Sequence, residues 1–514
     1  MNNKYSIISC AAAAICILSN IPGTVFAQTG NEEMTTVMGV KARTWKNPAM
    51  KGPESLPSSV DNSTSKHFPP IFNQIGNSCA QASGTGYMFT YEMNALLDRD
   101  ASVKENRFSY LFCWNFVNGG KDEGGLSTDG FGLAMTTGIM TEADFPAQTI
   151  VSQFYWASGF DKYVNAMKYR PSGYVRLTIT DENSLNDVKQ YLYNKGEAGG
   201  KGGVLCFSAY SSGWTFDEYY DGPSETGYRC LLTSYPDDGS HGMTIVGYDD
   251  TVESTDPDGI VQKGAFIAVN SWGSFSHDNG RYYLPYWFFI YPHNHLALSN
   301  DLLGVAAEYR EHPEIVFRVA LDYTSRDDIS LRFGVAAKGS STSPDYDYPI
   351  SIVNNQGGDF PMQGQYSDSY IEIGADFSQY VSKVEEMPET KYFLTVTRNN
   401  IGRTYGEGTI EEFSVYDYRK NPDNPDIYAC DGIAGTKLAE GKNIFSISTV
   451  DPAKCSYTPV QWINTLTGQP VAAPFVFRTA DGKFAKVRFS DYDRENGTIR
   501  IKYVYAPDGS HNLK

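Results

Sequence analysis

The chain has 514 residues, 41% hydrophobic and 20% charged, a balance that excludes a disordered or membrane-embedded protein and a length that exceeds one ordinary core. Its formal net charge of −18 lacks the basic footprint that nucleic-acid binding requires. Thirty-six tyrosines and 48 glycines lean the composition towards β structure and exposed binding surfaces.

In chain order, residues 1–27 read as a secretory signal peptide. Lys4 precedes an apolar run from Ile7 to Leu18, and Val25-Phe26-Ala27 forms a small-residue cleavage site. The run is too short to span a bilayer, and no later stretch reaches the roughly 18 apolar residues that spanning needs. Export is therefore expected, to a periplasmic, cell-surface or extracellular location. Six cysteines remain after the signal: Cys79, Cys113, Cys206, Cys230, Cys430 and Cys455. That is too few for a disulfide scaffold, although Cys430 and Cys455 lie close enough in sequence to pair.

Residues 28–54 are polar without clear periodicity and are expected to be a short pro-segment or N-terminal extension. A helix is expected from Cys79, with Ala82, Tyr87, Met88, Tyr91, Met93, Leu96 and Leu97 on one broad face and Ser78 or Asn77 as its cap. Gly84 and Gly86 weaken it, which in a buried helix permits close packing. Further helices are expected over 126–140 and 185–196. Strands follow at Gly203–Ser208, Met243–Gly247, Ala265–Asn270 and Tyr282–Trp287. Helices first and strands second give an α+β arrangement. Beyond about residue 310 short alternating runs dominate: Ile315–Leu321, Ser330–Ala336, Tyr370–Ile373, Tyr392–Val396 and Glu412–Tyr418. This is the signature of an all-β sandwich. Pro474 to Tyr505 reads as a three-stranded meander turning at Asp481-Gly482 and Asn496-Gly497.

The chemistry concentrates at three places. Cys79 stands at a helix start, after Phe72-Asn73-Gln74-Ile75-Gly76-Asn77-Ser78, where unpaired amides and the helix dipole favour a thiolate. Gln74 lies just upstream and can offer a side-chain N–H to an oxyanion. His241 heads a strand, and Asn270 ends another in Val269-Asn270-Ser271-Trp272-Gly273. Two adjacent strands can hold this His and Asn side by side, so that the Asn oxygen fixes the imidazole tautomer and Trp272 shields the bond from water. His277, His293 and His295 carry no partner signal and are read as ordinary residues. His293 and His295 share a strand face without a third ligand, so no metal site or other cofactor is expected. Cys206 reads as a buried strand residue.

Gln74, Ser78-Cys79-Ala80, His241 with Val246-Gly247-Tyr248, and Asn270-Ser271-Trp272-Gly273 with Asn279-Gly280 follow one another in an order that resembles the papain family of cysteine peptidases. The resemblance covers roughly residues 55–305 and is that of a bacterial secreted member with C-terminal β-domains. It implies a two-lobed fold with Cys79 as nucleophile, His241 as general base and acid, Asn270 as its orienter and Gln74 as oxyanion donor. Gly124 and Gly125 fall where the family keeps a Gly-Gly segment that pairs with substrate backbone, and Gly119-Gly120 competes for that place. Three positions depart from the family pattern. Ala80 stands where Trp is usual, Gly76 stands where a disulfide-bonded Cys is usual, and the interval from Gln74 to Cys79 is one residue short. The long inhibitory pro-helix is also missing.

The expected organisation is a signal at 1–27, an extension at 28–54, a papain-like domain at 55–305, a β-sandwich accessory domain at 306–450 and a β-meander at 451–514. The expected activity is thiol-dependent hydrolysis of protein or peptide substrates through an acyl-enzyme. The β-domain is expected either to bind a surface glycan or protein, or to cover and regulate the cleft. Two rivals remain: a related Cys-His amidase or acyl transferase, and a non-catalytic binding protein on the same scaffold.

Overall fold

The computed structural model describes residues 32–37, 40–48, 50, 55–146, 155–219, 229–235, 238–290, 298–339, 341–350, 353–354, 357–362, 364, 370–385, 387, 389–398, 406–450, 470–471, 473–478, 483–493 and 498–507. The expected signal peptide, the His293–His295 strand, Cys455 and both hairpin dipeptides of the meander lie outside these residues. Among the described residues no helix is long and apolar enough to cross a membrane.

One large mixed sheet organises the described residues up to Tyr309. Its strands run in the spatial order Glu32–Val37, Val40–Lys46, Tyr169–Thr178, Asp301–Tyr309, Leu205–Tyr210, Ser240–Thr255, Val261–Val269, Arg281–Pro285, Arg229–Ser234 and Thr215–Tyr219, with Ser59–Asp61 added against Ser240–Thr255. Alternate side chains point to opposite faces of a strand, and here both faces are covered. Val204 and Cys206, Val246, Ile267 and Val269, and Val305 and Ala307 enter one buried cluster with the helix from Cys79. Leu205 and Phe207, Ile245, Phe266 and Ala268, and Leu302 and Ala306 enter a second, with Leu185, Val188 and Leu192 of the helix Glu182–Asn194.

Within the expected N-terminal extension the described residues form strands. Glu32–Val37 pairs antiparallel with Val40–Lys46, which in turn pairs in parallel with Tyr169–Thr178. Trp45 is buried there, and Gly173 leaves room for its ring: a Cβ on Gly173 would lie 2.6 Å from Trp45 Cζ3. The boundary drawn at 305 also falls inside Asp301–Tyr309. That strand pairs with Tyr169–Thr178 on one side and Leu205–Tyr210 on the other, so its apolar pattern continues past the expected end.

The helix from Cys79 is α-helical over Cys79–Gln81, π-helical over Ala82–Phe89 and α-helical again over Thr90–Leu97. It is buried all round from Ala80 to Ala95, not amphipathic with one apolar face as expected. The expected helix at 126–140 runs Ser127–Thr137, and that at 185–196 runs Glu182–Asn194. A further helix, Tyr110–Val117, was not foreseen; it too is buried on every side, which removes the period-3.6 signal.

The described residues beyond 310 build three antiparallel sheets. The first orders Ile371–Asp376, Ile315–Tyr323, Gly408–Asp417 and Asp426–Ala429, with Thr436–Lys437 against Gly408–Asp417. The second orders Tyr346–Pro349, Ile329–Ala336, Glu389–Arg398 and Gly441–Val450. Rings meet between these two sheets: Phe317 lies 4.1 Å from Phe333 and 5.6 Å from Tyr392. The third is the meander Phe475–Arg478, Phe484–Asp493 and Thr498–Ala506. The whole is a mixed α/β molecule with several sheets.

Candidate active site

The Cys79 turn is held from three sides. Residues 72–74 run antiparallel to 271–273: Gln74 N donates to Ser271 O at 2.7 Å and Gly273 N to Phe72 O at 3.1 Å. On a second side, Gly76 adopts φ +57°, where a side chain would meet Asp122 Oδ1 at 2.3 Å. That carboxylate accepts from Asn77 N at 2.7 Å, and Asn77 Nδ2 donates to Asp122 O at 2.8 Å. Gly76 and Asp122 thus hold the loop at the position where a disulfide was missing from the sequence pattern. Neither expected cap forms. Asn77 is engaged with Asp122, and the Ser78 hydroxyl makes no cap bond. The third side is the His241 strand. A Cβ on Gly242 would lie 3.1 Å from Ala80 Cα and 3.3 Å from the Cys79 carbonyl carbon, so the absence of a side chain at Gly242 lets the Cys79 turn pack close against this strand.

His241 and Asn270 come together as the sequence suggested. Thr244 pairs with Val269 in the antiparallel register, which brings the start of one strand beside the end of the other. His241 Nε2 lies 2.8 Å from Asn270 Oδ1. The Trp272 ring stacks on the imidazole at 4.6 Å and 23°. Asn270 is fully buried and His241 is 5% exposed. Burial lowers the His241 pKa from its ordinary value, and the Asn270 bond opposes that shift. Tyr87, on the helix from Cys79, ties the parts together: its hydroxyl donates to Asn270 O at 3.2 Å and accepts from Phe72 N at 3.2 Å.

Gln74 sits in the same place but is already engaged. Its Nε2 donates to Gly76 O at 2.8 Å, and its Oε1 accepts from Ser271 Oγ at 2.5 Å. An amide nitrogen carries two hydrogens, so one N–H remains for another acceptor. The two Gly-Gly segments separate clearly. Gly124 and Gly125 are exposed, and the built Cβ of Gly124 has Asn77 O as its neighbour at 3.7 Å. Gly119 and Gly120 instead pack against Gly357, Gly358 and Phe360 of the C-terminal half.

His277, read from the sequence as an ordinary residue without a partner signal, has a partner in the structure. Its Nε2 lies 3.1 Å from Asn270 Nδ2, in the same hydrogen-bonded chain as His241. The signal available was its spacing, seven residues after Asn270 inside the Asn270–Gly280 loop, which by itself names no partner. Cys206 is buried as expected and accepts from Ser83 Oγ at 3.0 Å, and burial pushes its thiol up to about 12. Cys430 is partly buried and donates to Ser446 O at 3.6 Å, while its suggested partner Cys455 lies outside the described residues. Among the described residues no group of three His, Cys, Asp or Glu side chains is placed to hold a metal ion.

No family model matches the sequence, and no curated protein matches it. Among solved structures the chain is similar to papain-like cysteine proteases over about half its length. A digestive procathepsin L 3 of Tenebrio molitor larval midgut is 18% identical over 50% of this chain and 73% of its own, with a TM-score of 0.34. Xylellain, a cysteine protease from Xylella fastidiosa, is 17% identical over 49% of this chain and 86% of its own, with a TM-score of 0.32. Bromelain protease from Ananas comosus, in complex with the E64 inhibitor, is 17% identical over 49% and 99% of the two chains, with a TM-score of 0.29.

Proposed function

We propose that the chain is an exported cysteine peptidase that cleaves peptide bonds through a covalent acyl-enzyme. The observation that carries this reading is the buried 2.8 Å bond between His241 Nε2 and Asn270 Oδ1, capped by Trp272 and laid against the Cys79 turn through Gly242. With Nε2 committed to Asn270, the ring nitrogen left to face the nucleophile is Nδ1. Cys79 then gives its proton to His241 and attacks the substrate carbonyl as thiolate. The oxyanion is received by the Cys79 backbone N–H, which has no intrahelical acceptor at a helix start, and by the second N–H of Gln74. His241 passes its proton to the leaving amine, then takes one from the water that hydrolyses the thioester, which regenerates Cys79.

In this reading Gly124 and Gly125 pair with the substrate backbone beside Asn77, and Trp272 lines the site. The two facing antiparallel sheets after residue 310 form a sandwich module, which either presents a surface for a glycan or protein or regulates the cleft. The departure Ala80 removes the bulk that Trp would place next to the nucleophile.

The test is a peptide-hydrolysis assay with the reduced protein. Cys79→Ala should abolish turnover while leaving the fold intact by circular dichroism; full activity in that variant sinks the assignment. Alkylation of the folded wild type by limiting iodoacetamide, mapped by mass spectrometry, should select Cys79 over the buried Cys113, Cys206 and Cys230.

A further inference from the structure

We propose that His277 is a positioning residue of the site: its unprotonated Nε2 accepts the Asn270 side-chain N–H and so locks the amide in the orientation that fixes the His241 tautomer. The inference rests on the peptidase reading for its consequence, but its geometry stands on hydrogen-bond donors and acceptors alone.

An Asn side chain between two imidazoles is ambiguous in isolation, because either end can face either ring. Here a third bond removes the ambiguity. Ser271 N lies 2.7 Å from the same Asn270 atom that meets His241 Nε2 at 2.8 Å. A backbone N–H only donates, so that atom is the oxygen. His241 Nε2 must therefore carry hydrogen, and its Nδ1 is the nitrogen left for Cys79. The amide nitrogen must then face His277 Nε2, at 3.1 Å, and this ring nitrogen must present a lone pair. A proton on His277 Nε2 would set N–H against N–H and push the amide to turn over. Turned over, Asn270 would offer hydrogen to His241 Nε2 and exchange the tautomer that the nucleophile needs.

The surroundings keep His277 neutral. Its ring lies 4.7 Å from Phe216, 5.3 Å from Trp214, 5.5 Å from Tyr282 and 6.4 Å from Trp272. The titratable groups that face it are His241, through Asn270, and Tyr282; Asp278 follows it in the chain and bonds through its backbone to Arg281. Burial, and to a smaller degree the neighbouring His241, lower its pKa to about 4. The backbone supports a specific placement as well. His277 adopts φ +52°, a conformation uncommon for a residue with a side chain and concentrated at functional sites.

The experiment compares His277→Gln, which keeps an acceptor that cannot ionise, with His277→Phe, which keeps the ring contacts and loses the acceptor. Both carry the same backbone cost at positive φ. In the Phe variant the rate of Cys79 alkylation should fall, and kcat/KM for a peptide should fall about tenfold or more with KM little changed. The Gln variant should stay within a fewfold of wild type on both measures. Equal behaviour of Gln and Phe overturns the proposal. Imidazole 15N NMR on the Cys79→Ala protein separates this result from the fate of the peptidase reading, since it needs no activity. It should show His277 Nε2 unprotonated and His241 Nε2 protonated at neutral pH, and a His277 Nε2 that carries hydrogen there overturns the proposal even in an active enzyme.

Discussion

Asp122 does at the residue scale what a covalent link does in the pattern the sequence resembles. It holds Asn77 by two hydrogen bonds, one to its carboxylate and one to its carbonyl. Each is worth about 1 kcal/mol net, and together they fix the loop that presents Cys79. On the proposed peptidase reading, Asp122→Ala should therefore leave global stability close to wild type and lower kcat/KM about tenfold, because small displacements of a nucleophile are costly. Asp122→Asn retains a carbonyl acceptor for Asn77 N and should recover most of that loss. Unchanged peptide turnover in Asp122→Ala would mean that the contacts with residues 271–273 hold the turn unaided. The identities of Cys79, His241, Asn270 and Gln74 could be read in the sequence, since each motif names its own residue type. Asp122 and His277 could not be read. Their roles depend on which loop folds back onto which, and neither stands in a short motif with its partner.

At the scale of elements, the helix from Cys79 shows why periodicity misled. Residues from Ala80 to Ala95 are buried on all sides, so polar and apolar positions do not alternate around it. Thr85, Thr90 and Asn94 are buried and polar, and the Thr90 hydroxyl and the Asn94 amide donate to carbonyls of their own helix. The same burial hid Tyr110–Val117. The strands were easier, because both faces of the large sheet are apolar and the runs are bounded by turns. The π-helical stretch contains Gly84 and Gly86, and a Cβ on Gly86 would lie 2.6 Å from Phe72 Cζ. Phe72 cannot easily yield, since its ring is stacked between Tyr87 at 4.4 Å and Tyr110 at 5.2 Å. In an exposed helix Gly→Ala stabilises by up to about 1 kcal/mol. Here the sign should reverse, and Gly86→Ala should destabilise by about 1–3 kcal/mol through overpacking. Urea unfolding reads it directly, and a stabilised variant would show that the ring can move aside.

For the whole molecule, the question is whether the two halves unfold as one. The family resemblance read in the sequence placed a boundary at 305, a little before helical periodicity ends, yet contacts across that boundary are extensive. Phe160 lies 4.4 Å from Tyr416, its backbone N–H donates to Glu372 Oε2 at 2.7 Å, and the Arg318 guanidinium sits 5.4 Å over its ring. Trp156 carries Arg326 at 4.5 Å. A single buried cluster runs from Phe68 to Ile447. None of this is visible in local composition, since each contact joins residues more than a hundred positions apart. The sharpest link is the ion pair between Arg170 Nη1 and Asp376 Oδ2, 2.6 Å long, with both side chains at most 6% exposed. Removing one partner of a buried pair strands the other charge and costs about 3–5 kcal/mol. Asp376→Ala should therefore destabilise the protein by that order. If the halves are one cooperative unit, the loss must also reach the first half, where Cys113 and Cys206 are buried far from the substitution in sequence. Pulse alkylation in rising urea should then label Cys113 and Cys206 at lower denaturant in Asp376→Ala than in wild type. Were their labelling midpoint unchanged while the C-terminal sheets melted early, the halves would be independent folding units and the boundary near 305 would regain its meaning.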